Sequence, residues 1–128
     1  MLIVKPLSDP GKARKIYEAF GRSAEDGIMG YYAEEADEDG SKKLLGLCLF
    51  TLSGGKDEIV VLEYAVGTHD DEAMIIMARA VLSFMYRCGV KSAKISSSVD
   101  GGLIGKLGFT SEDGVFSLDL VKFYGERC

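Results

Sequence analysis

The order of apolar and polar residues along the chain predicts short strands separated by turns. Continuous apolar runs and alternating runs are typical of strands, and clusters of Asp, Gly and Ser are typical of the turns between them. The predicted strands cover residues 2–5, 28–35, 44–52, 58–66 and 90–96, and a closing antiparallel ribbon covers residues 109–124. Turns are predicted at residues 37–40 and 53–57, and the polar residues 22–27 predict either a loop or a short helix.

Apolar residues three and four positions apart predict three helices, which cover residues 10–20, 70–87 and 100–106. The first helix follows Asp9, a typical N-cap residue, and ends at Gly21. The second begins with Asp70, Asp71 and Glu72, acids that favour a helix N-terminus. It is apolar on most of its faces, which predicts burial against a sheet.

The long helix and its flanking strands decide the predicted fold class. Residues 59–96 form a strand, a helix and a strand, and such a crossover is right-handed and makes the two strands parallel. The remaining strands are joined by hairpins and are therefore antiparallel. We thus expect one α/β (α+β) domain over residues 1–128, built on a mixed sheet.

Composition narrows the classes of partner and compartment. The 128 residues are 47% hydrophobic and 27% charged, as in ordinary globular domains, and the net charge is −5. Lysines and arginines are scattered, so no nucleic-acid partner is expected, because phosphate binding needs clustered cations. No apolar stretch reaches the roughly 18 residues that span a bilayer, and the first residues do not resemble a signal peptide. We therefore expect no membrane partner and a cytoplasmic location.

No metal site is expected from the residues that usually bind metals. His69 is the only histidine, so a site with two histidines is excluded. The three cysteines are odd in number and widely spaced, which suits neither a disulfide framework nor a CxxC metal site. They are Cys48, Cys88 and Cys128.

Four local patterns follow one another in a characteristic order. They are Lys42-Lys43-Leu44-Leu45-Gly46, Leu62-Glu63-Tyr64-Ala65-Val66, Tyr86-Arg87-Cys88-Gly89-Val90-Lys91 and Gly105-Lys106-Leu107-Gly108-Phe109. In this order and spacing they resemble the GNAT N-acyltransferase superfamily over nearly the whole chain. The resemblance implies a GNAT-like mixed sheet of six to seven strands, flanked by about four helices, whose central parallel strands splay apart. It also implies acetyl-CoA in that gap.

In this family a loop of the form (Q/R)xxGx(G/A) at the start of the long helix holds the cofactor's pyrophosphate. Free backbone N–H groups and the helix dipole face the phosphates there. The resemblance maps the cofactor-binding positions onto Val66, Gly67, His69, Glu72 and Met74. His69 takes the Gln/Arg position, whereas Glu72 and Met74 take the two glycine positions. The acids at residues 70–72 bring negative charge to this turn, and we expect them to cap the helix themselves.

Glu63 is the candidate catalytic base, since it is a carboxylate in an otherwise apolar strand at the family's base position. A glutamate that faces an edge or forms a salt bridge is the alternative interpretation. The family's acid tyrosine has no match, because Ile104 stands at its position, and Ser97 or Ser98 stands where an asparagine is frequent. Three strand tyrosines either line a pocket, replace the missing acid or pack in the core, namely Tyr31, Tyr32 and Tyr64.

Two functions remain open on these residues. One is a diverged N-acyltransferase that uses acetyl-CoA and a small amine. The other is a non-catalytic GNAT-like module that binds another partner, such as a protein, and no longer binds acyl-CoA. A monomer and a homodimer with a composite site are compatible with either function.

Overall fold

The computed structural model describes residues 1–52 and 57–125, in which seven strands form one mixed sheet. The strands are β1 (Leu2–Pro6), β2 (Ile28–Ala36), β3 (Lys42–Thr51), β4 (Glu58–Tyr64), β5 (Ser92–Ile95), β6 (Thr110–Glu112) and β7 (Val115–Asp119). Their order in the sheet is β1-β2-β3-β4-β5-β7-β6. Of the neighbouring pairs, β4 and β5 are parallel and the other five pairs are antiparallel.

Four helices accompany the sheet in the described part of the chain. They are α1 (Pro10–Ala19), α2 (Asp71–Arg87), α3 (Gly101–Lys106) and α4 (Leu120–Gly125). The predicted fold class is confirmed, including the mixed sheet and the parallel pair that flanks α2. Residues 22–27 contain no helix, so the loop interpretation of that segment is correct. The turn predicted at residues 53–57 falls largely outside the described residues, as does Cys128.

The prediction of a closing ribbon that extends to residue 124 is wrong. Strand β7 ends at Asp119, and the chain then turns into α4. The carboxylate of Asp119 accepts a hydrogen bond from the backbone N–H of Lys122 at 3.0 Å, which satisfies a free donor of the first helical turn. Leu120 is fully buried, and its N–H donates to the carbonyl of Lys91 at 2.9 Å. Local capping and burial of Leu120 thus override the alternating pattern.

Two apolar clusters cover the two faces of the sheet. The main core lies between the sheet and α2, where Met74, Met77 and Val81 are fully buried. The second core lies between the sheet and α1, where Ile16 and Tyr17 pack near two leucines of β3. Residues 45–50 of β3 are all buried, as expected for a strand that is covered on both faces.

Strand β4 is paired with β5 only through its first two residues, which lie opposite the last two residues of β5. Glu58 and Ile59 lie opposite Lys94 and Ile95, and the residues of β4 after Ile59 have no partner on β5. At the same point β4 carries a bulge, because its pairing with β3 skips Val60. A bulge bends a strand and changes the direction of its side chains. The predicted separation of the central parallel strands therefore occurs at residues 60–64.

Candidate ligand cleft and the start of helix α2

The loop between β4 and α2 folds into a tight turn. The N–H of Thr68 donates to the carbonyl of Ala65 at 3.0 Å, and Gly67 takes a left-handed φ of 78° that favours glycine. The Thr68 hydroxyl also contacts the carbonyls of Leu45 and Ala65, at 3.1 and 2.8 Å. Val66 protrudes from this turn with 93% of its surface exposed. The loop is thus fixed to the first half of β3 by its own hydrogen bonds.

The beginning of α2 is capped by an acid, as the sequence predicts. Asp70 is the N-cap, and its carboxylate accepts a hydrogen bond from the N–H of Ala73 at 3.0 Å. Asp71 and Glu72 follow in the first turn. An N-cap carboxylate and acids in the first turn complement the positive end of the helix dipole. The helix N-terminus is therefore partly satisfied by negative charge from the chain itself.

Asp71 joins three other side chains in what we call the Asp71 cluster, which consists of Tyr64, His69, Asp71 and Lys106. The hydroxyl of Tyr64 donates to one carboxylate oxygen of Asp71. The Nζ of Lys106 donates to the other at 3.1 Å, and the Nε2 of His69 lies 3.4 Å from the first. The imidazole ring also stacks on the Tyr64 ring, with 4.2 Å between centroids. The cluster thus connects β4, α2 and α3.

The cluster shifts the pKa values of its two central groups in opposite directions. Burial, together with the hydrogen bond to Asp71, raises the pKa of the Tyr64 phenol well above its ordinary value. The hydrogen bonds from Tyr64 and Lys106 lower the pKa of the Asp71 carboxyl. Tyr64 therefore stays a neutral donor and Asp71 stays a charged acceptor at neutral pH.

The two positions that the resemblance assigns to glycines are occupied very differently. Glu72 is exposed to solvent on the first turn of α2. Met74 is fully buried, and its sulfur occupies space that a Cβ on Gly46 would approach to 2.3 Å. Leu103 of α3, which also faces the interior, is only 1% exposed. Met74 and Leu103 are therefore part of the main core.

Glu63 lies on β4 and is paired with Arg22. Its Oε2 accepts from the Nε and an Nη of Arg22 at 3.2 and 3.1 Å. Both side chains remain partly exposed, at 44% for Glu63 and 40% for Arg22. The arrangement agrees with the salt-bridge interpretation of Glu63. Sequence reasoning missed Arg22, and its one local signal is that it follows Gly21, the glycine just beyond the C-cap of α1.

The end of α1 positions Arg22. Gly21 has a left-handed φ of 65°, its N–H donates to the carbonyl of Glu18 at 3.0 Å, and the N–H of Arg22 donates to the carbonyl of Tyr17 at 2.9 Å. This pair of bonds is the Schellman motif, which needs a residue that tolerates positive φ. Arg22 is thus held beside β4 by the backbone of the helix end.

Two adjoining pockets lie on the α1 side of β4, and we call them together the α1-side groove. The first, of about 270 Å³, reaches the separation between β4 and the chain after β5, and its walls are Arg22, Val60, Val61, Leu62, Glu63, Ser98 and Val99. The second, of about 490 Å³, shares Arg22, Val60 and Val61 and continues to Tyr17, Gly21, Ser23, Glu25, Ile28 and Leu49. The groove combines a charged pair, Arg22 and Glu63, with an apolar wall from β2, β3 and β4, and Ser23 and Glu25 are further polar parts of its lining.

The other candidates from the sequence have structural partners. Ile104 is buried, and the Oγ atoms of Ser96 and Ser98 lie 2.8 Å apart in a local hydrogen bond. Asp100 caps α3, because its carboxylate accepts from two backbone N–H groups. Tyr31 packs against two phenylalanines, at ring distances of 6.0 and 6.2 Å. Within residues 1–52 and 57–125, no group of three or more His, Cys, Asp or Glu side chains has the arrangement of a metal site.

Solved structures that resemble this architecture include acetyltransferases of the GNAT family. The GNAT family N-acetyltransferase YhbS from Escherichia coli, solved in complex with CoA, is 16% identical, matches 94% of this chain and 82% of its own, and gives a TM-score of 0.66. The chain has the GNAT fold. Nourseothricin acetyltransferase is 17% identical over 91% of this chain and 95% of its own, with a TM-score of 0.59.

A third solved structure with the GNAT fold, the KacTA–DNA complex, is 12% identical over 98% of this chain and 99% of its own, with a TM-score of 0.61. That complex contains DNA, and the absence of a nucleic-acid partner therefore stays a prediction for this chain. No protein-family model and no curated protein matches the sequence. Among the described helices, none combines the length and the apolar character needed to cross a membrane.

Proposed function

We propose that this chain is a GNAT-fold binding protein that no longer holds acyl-CoA at the start of the long helix. The observation that supports this proposal is the carboxylate arrangement at residues 70–72. A pyrophosphate binds a helix N-terminus through free N–H groups and the positive end of the dipole. Here Asp70 already accepts the N–H of Ala73, and two further acids stand beside it.

Charge opposes the cofactor at this turn as well. Two like charges about 4 Å apart repel by about 1 kcal/mol in water and about 4 kcal/mol near a protein surface. Lys106, a cation that lies near this turn, is paired with Asp71 at 3.1 Å. A phosphate would therefore have to separate that pair in addition to approaching the acids. The side chain of Met74 further fills a position at which the family uses glycine.

Calorimetric titration with coenzyme A and with acetyl-CoA tests the proposal. We expect no saturable heat up to about 1 mM of either ligand, which corresponds to a binding free energy weaker than about −4 kcal/mol. A dissociation constant in the micromolar range would contradict it. The doubly substituted variant Asp71→Asn, Glu72→Gly removes two of the opposing charges and supplies one glycine, so we expect measurable binding there. The matched control is Glu18→Gln, which removes an exposed acid of α1.

An N-acyltransferase that uses acetyl-CoA and a small amine is the second candidate function. It is favoured by the separation of β4 from β5 after Ile59 and by the exposure of Val66 at the end of that gap. In this function Val66 and Gly67 would pair with the pantetheine arm, and Glu63 would act as the base after releasing Arg22. Release of free CoA thiol in the presence of amines, abolished in Glu63→Gln, would establish this function instead.

A further inference from the structure

We propose that the α1-side groove binds a free α-amino acid with a large apolar side chain. The inference goes beyond the proposed function, which concerns acyl-CoA at the start of α2 and names no other ligand. Three features of the groove carry it, namely a contact pair of opposite charges, an apolar wall in the larger pocket and the strand bulge at Val60. The charged pair would bind the ligand's head group, and the apolar wall would contact its side chain.

The ion pair at the mouth of the groove matches a zwitterion. In an α-amino acid the ammonium and the carboxylate are attached to one carbon, so their binding partners must be adjacent and opposite in charge. Glu63 and Arg22 fulfil this condition, with 3.1 Å between their charged atoms. Only one carboxylate oxygen of Glu63 is used in the pair, and a guanidinium has five donors, of which two are used here.

The cost of opening this pair for a ligand is small. Both side chains are partly exposed, and exposed ion pairs contribute little to stability because water and salt screen them. An incoming ammonium would replace the guanidinium at Glu63, and an incoming carboxylate would replace Glu63 at Arg22. The number of charge-assisted hydrogen bonds is thereby maintained or increased.

The apolar wall of the groove fits an apolar side chain. The bulge at Val60 leaves both Val60 and Val61 packed against the second core, on the face of the sheet that α1 covers. Together with Ile28 and Leu49 they line a pocket of about 490 Å³. Ligand pockets of small molecules typically measure about 300–1,000 Å³, so the volume is sufficient for such a ligand. Glu25 at the rim adds a second negative charge, which favours the ammonium end of the ligand.

Other classes of ligand satisfy fewer of these groups. A simple amine would pair with Glu63 but would leave Arg22 without a carboxylate. A longer peptide separates its ammonium from its carboxylate by several bonds per residue, so both ends cannot occupy one contact pair. A phosphorylated ligand would meet Glu25 and Glu63 at the same mouth. The free amino acid is therefore the ligand class that the groove supports.

The test is a set of calorimetric or ligand-observed NMR titrations of the full chain. The probes are L-phenylalanine and L-leucine, their methyl esters, their N-acetyl derivatives, and L-alanine. We expect saturable binding of the two free amino acids. Loss of the carboxylate, of the ammonium or of the apolar side chain should each weaken binding at least about tenfold, since one charge-assisted bond or one buried side chain is then missing.

Two variants assign the head group to its partners. Arg22→Gln should abolish the preference for the free acid over its methyl ester, and Glu63→Gln should abolish the preference for the free amine over its N-acetyl derivative. Arg14→Gln, which removes an exposed arginine of α1, is the matched control and should bind as the unchanged protein does. Both effects are ratios between ligands, so a general loss of folded protein does not imitate them.

Equal binding of the free acid and its ester, or no saturable binding of either amino acid at about 10 mM, would overturn the inference. The coenzyme A titration is carried out on the same sample, and the two results are independent. If amino acids bind and coenzyme A also binds, the groove assignment stands and the proposed function fails. If neither binds, the groove assignment fails and the proposed function stands.

Discussion

At Asp71, side chains from three parts of the fold meet one carboxylate. Tyr64 comes from the end of β4, His69 from the loop and Lys106 from α3. The sequence predicts that Asp71 lies at the start of a helix, because acids are favoured there. It does not predict the partners, since Lys106 is 35 residues away and its position depends on how α3 packs. The local sequence places negative charge at this turn, whereas the tertiary structure determines which side chains contact that charge.

The depressed pKa of Asp71 predicts a loss of stability in acid. A carboxyl whose pKa is lower in the folded state contributes stability above its unfolded pKa, near 3.9, and loses this contribution as the pH falls through the folded value. Asp71→Asn should therefore be less stable than the unchanged protein near pH 7, and the difference should shrink toward about pH 3. Urea unfolding at both pH values measures it.

The control for this experiment is Glu18→Gln, because Glu18 is an exposed acid on α1. We expect its free energy of unfolding to stay close to that of the unchanged protein at both pH values. If Asp71→Asn changes the free energy of unfolding by the same amount at the two pH values, the pKa of Asp71 is not lowered by the folded Asp71 cluster, and the account is contradicted.

The tertiary packing shows why residue 46 is a glycine, because the side chain of Met74 fills the space beside it. A Cβ there would lie 2.3 Å from the sulfur of Met74, so Gly46→Ala should destabilise the protein by about 1–3 kcal/mol through overpacking. Met74→Ala should cost about 2–5 kcal/mol by leaving a cavity. The double variant should cost less than the sum, with a coupling of about 0.5–3 kcal/mol, as measured by denaturant unfolding.

Gly105→Ala is the matched control, since nothing lies within 4 Å of a Cβ at that helical position. It should be neutral or stabilising, by up to about 1 kcal/mol, because alanine restricts the unfolded chain and favours the helix. Strict additivity of the Gly46 and Met74 substitutions would show that the two residues do not share this space.

Elements with strong local sequence signals have the predicted type and limits, whereas elements that depend on tertiary contacts do not. Helices α1 and α2 have N-cap acids, apolar periodicity and glycine or basic residues at their ends, and their predicted limits are nearly correct. Helix α4 was predicted as strand, because residues 115–122 alternate. Its formation depends on the cap at Asp119 and on burial of Leu120 against the main core, which no short sequence window contains.

The N-cap of α2 can be tested separately from its effect on a ligand. Asp70→Ala removes the acceptor of the Ala73 N–H and should lower the free energy of unfolding by about 1 kcal/mol. Asp70→Ser retains a capping oxygen without the charge and should restore most of that loss. Thermal and denaturant unfolding of the three proteins provide the comparison. Equal stability of the alanine and serine variants would contradict a capping role.

For the whole molecule, the sequence is sufficient to predict the fold but not the groove in which we propose that a ligand binds. The order of strands and helices predicts a mixed sheet, the resemblance to the GNAT superfamily implies separated parallel strands, and the structure has both. The groove was not predictable, because it arises where the end of α1, the bulge of β4 and the chain after β5 come together. Glu63 was identified from its type and position, whereas its pairing with Arg22 joins residues 41 positions apart.

The most direct test of the central claim follows the backbone amides of residues 70–74 during titration with coenzyme A. In ¹⁵N-labelled protein, these resonances would respond first if a pyrophosphate bound at the start of α2. We predict that they stay unchanged up to about 1 mM coenzyme A, because Asp70 and its neighbouring acids occupy that position. Saturable shifts of these amides, with a micromolar midpoint, would contradict the account.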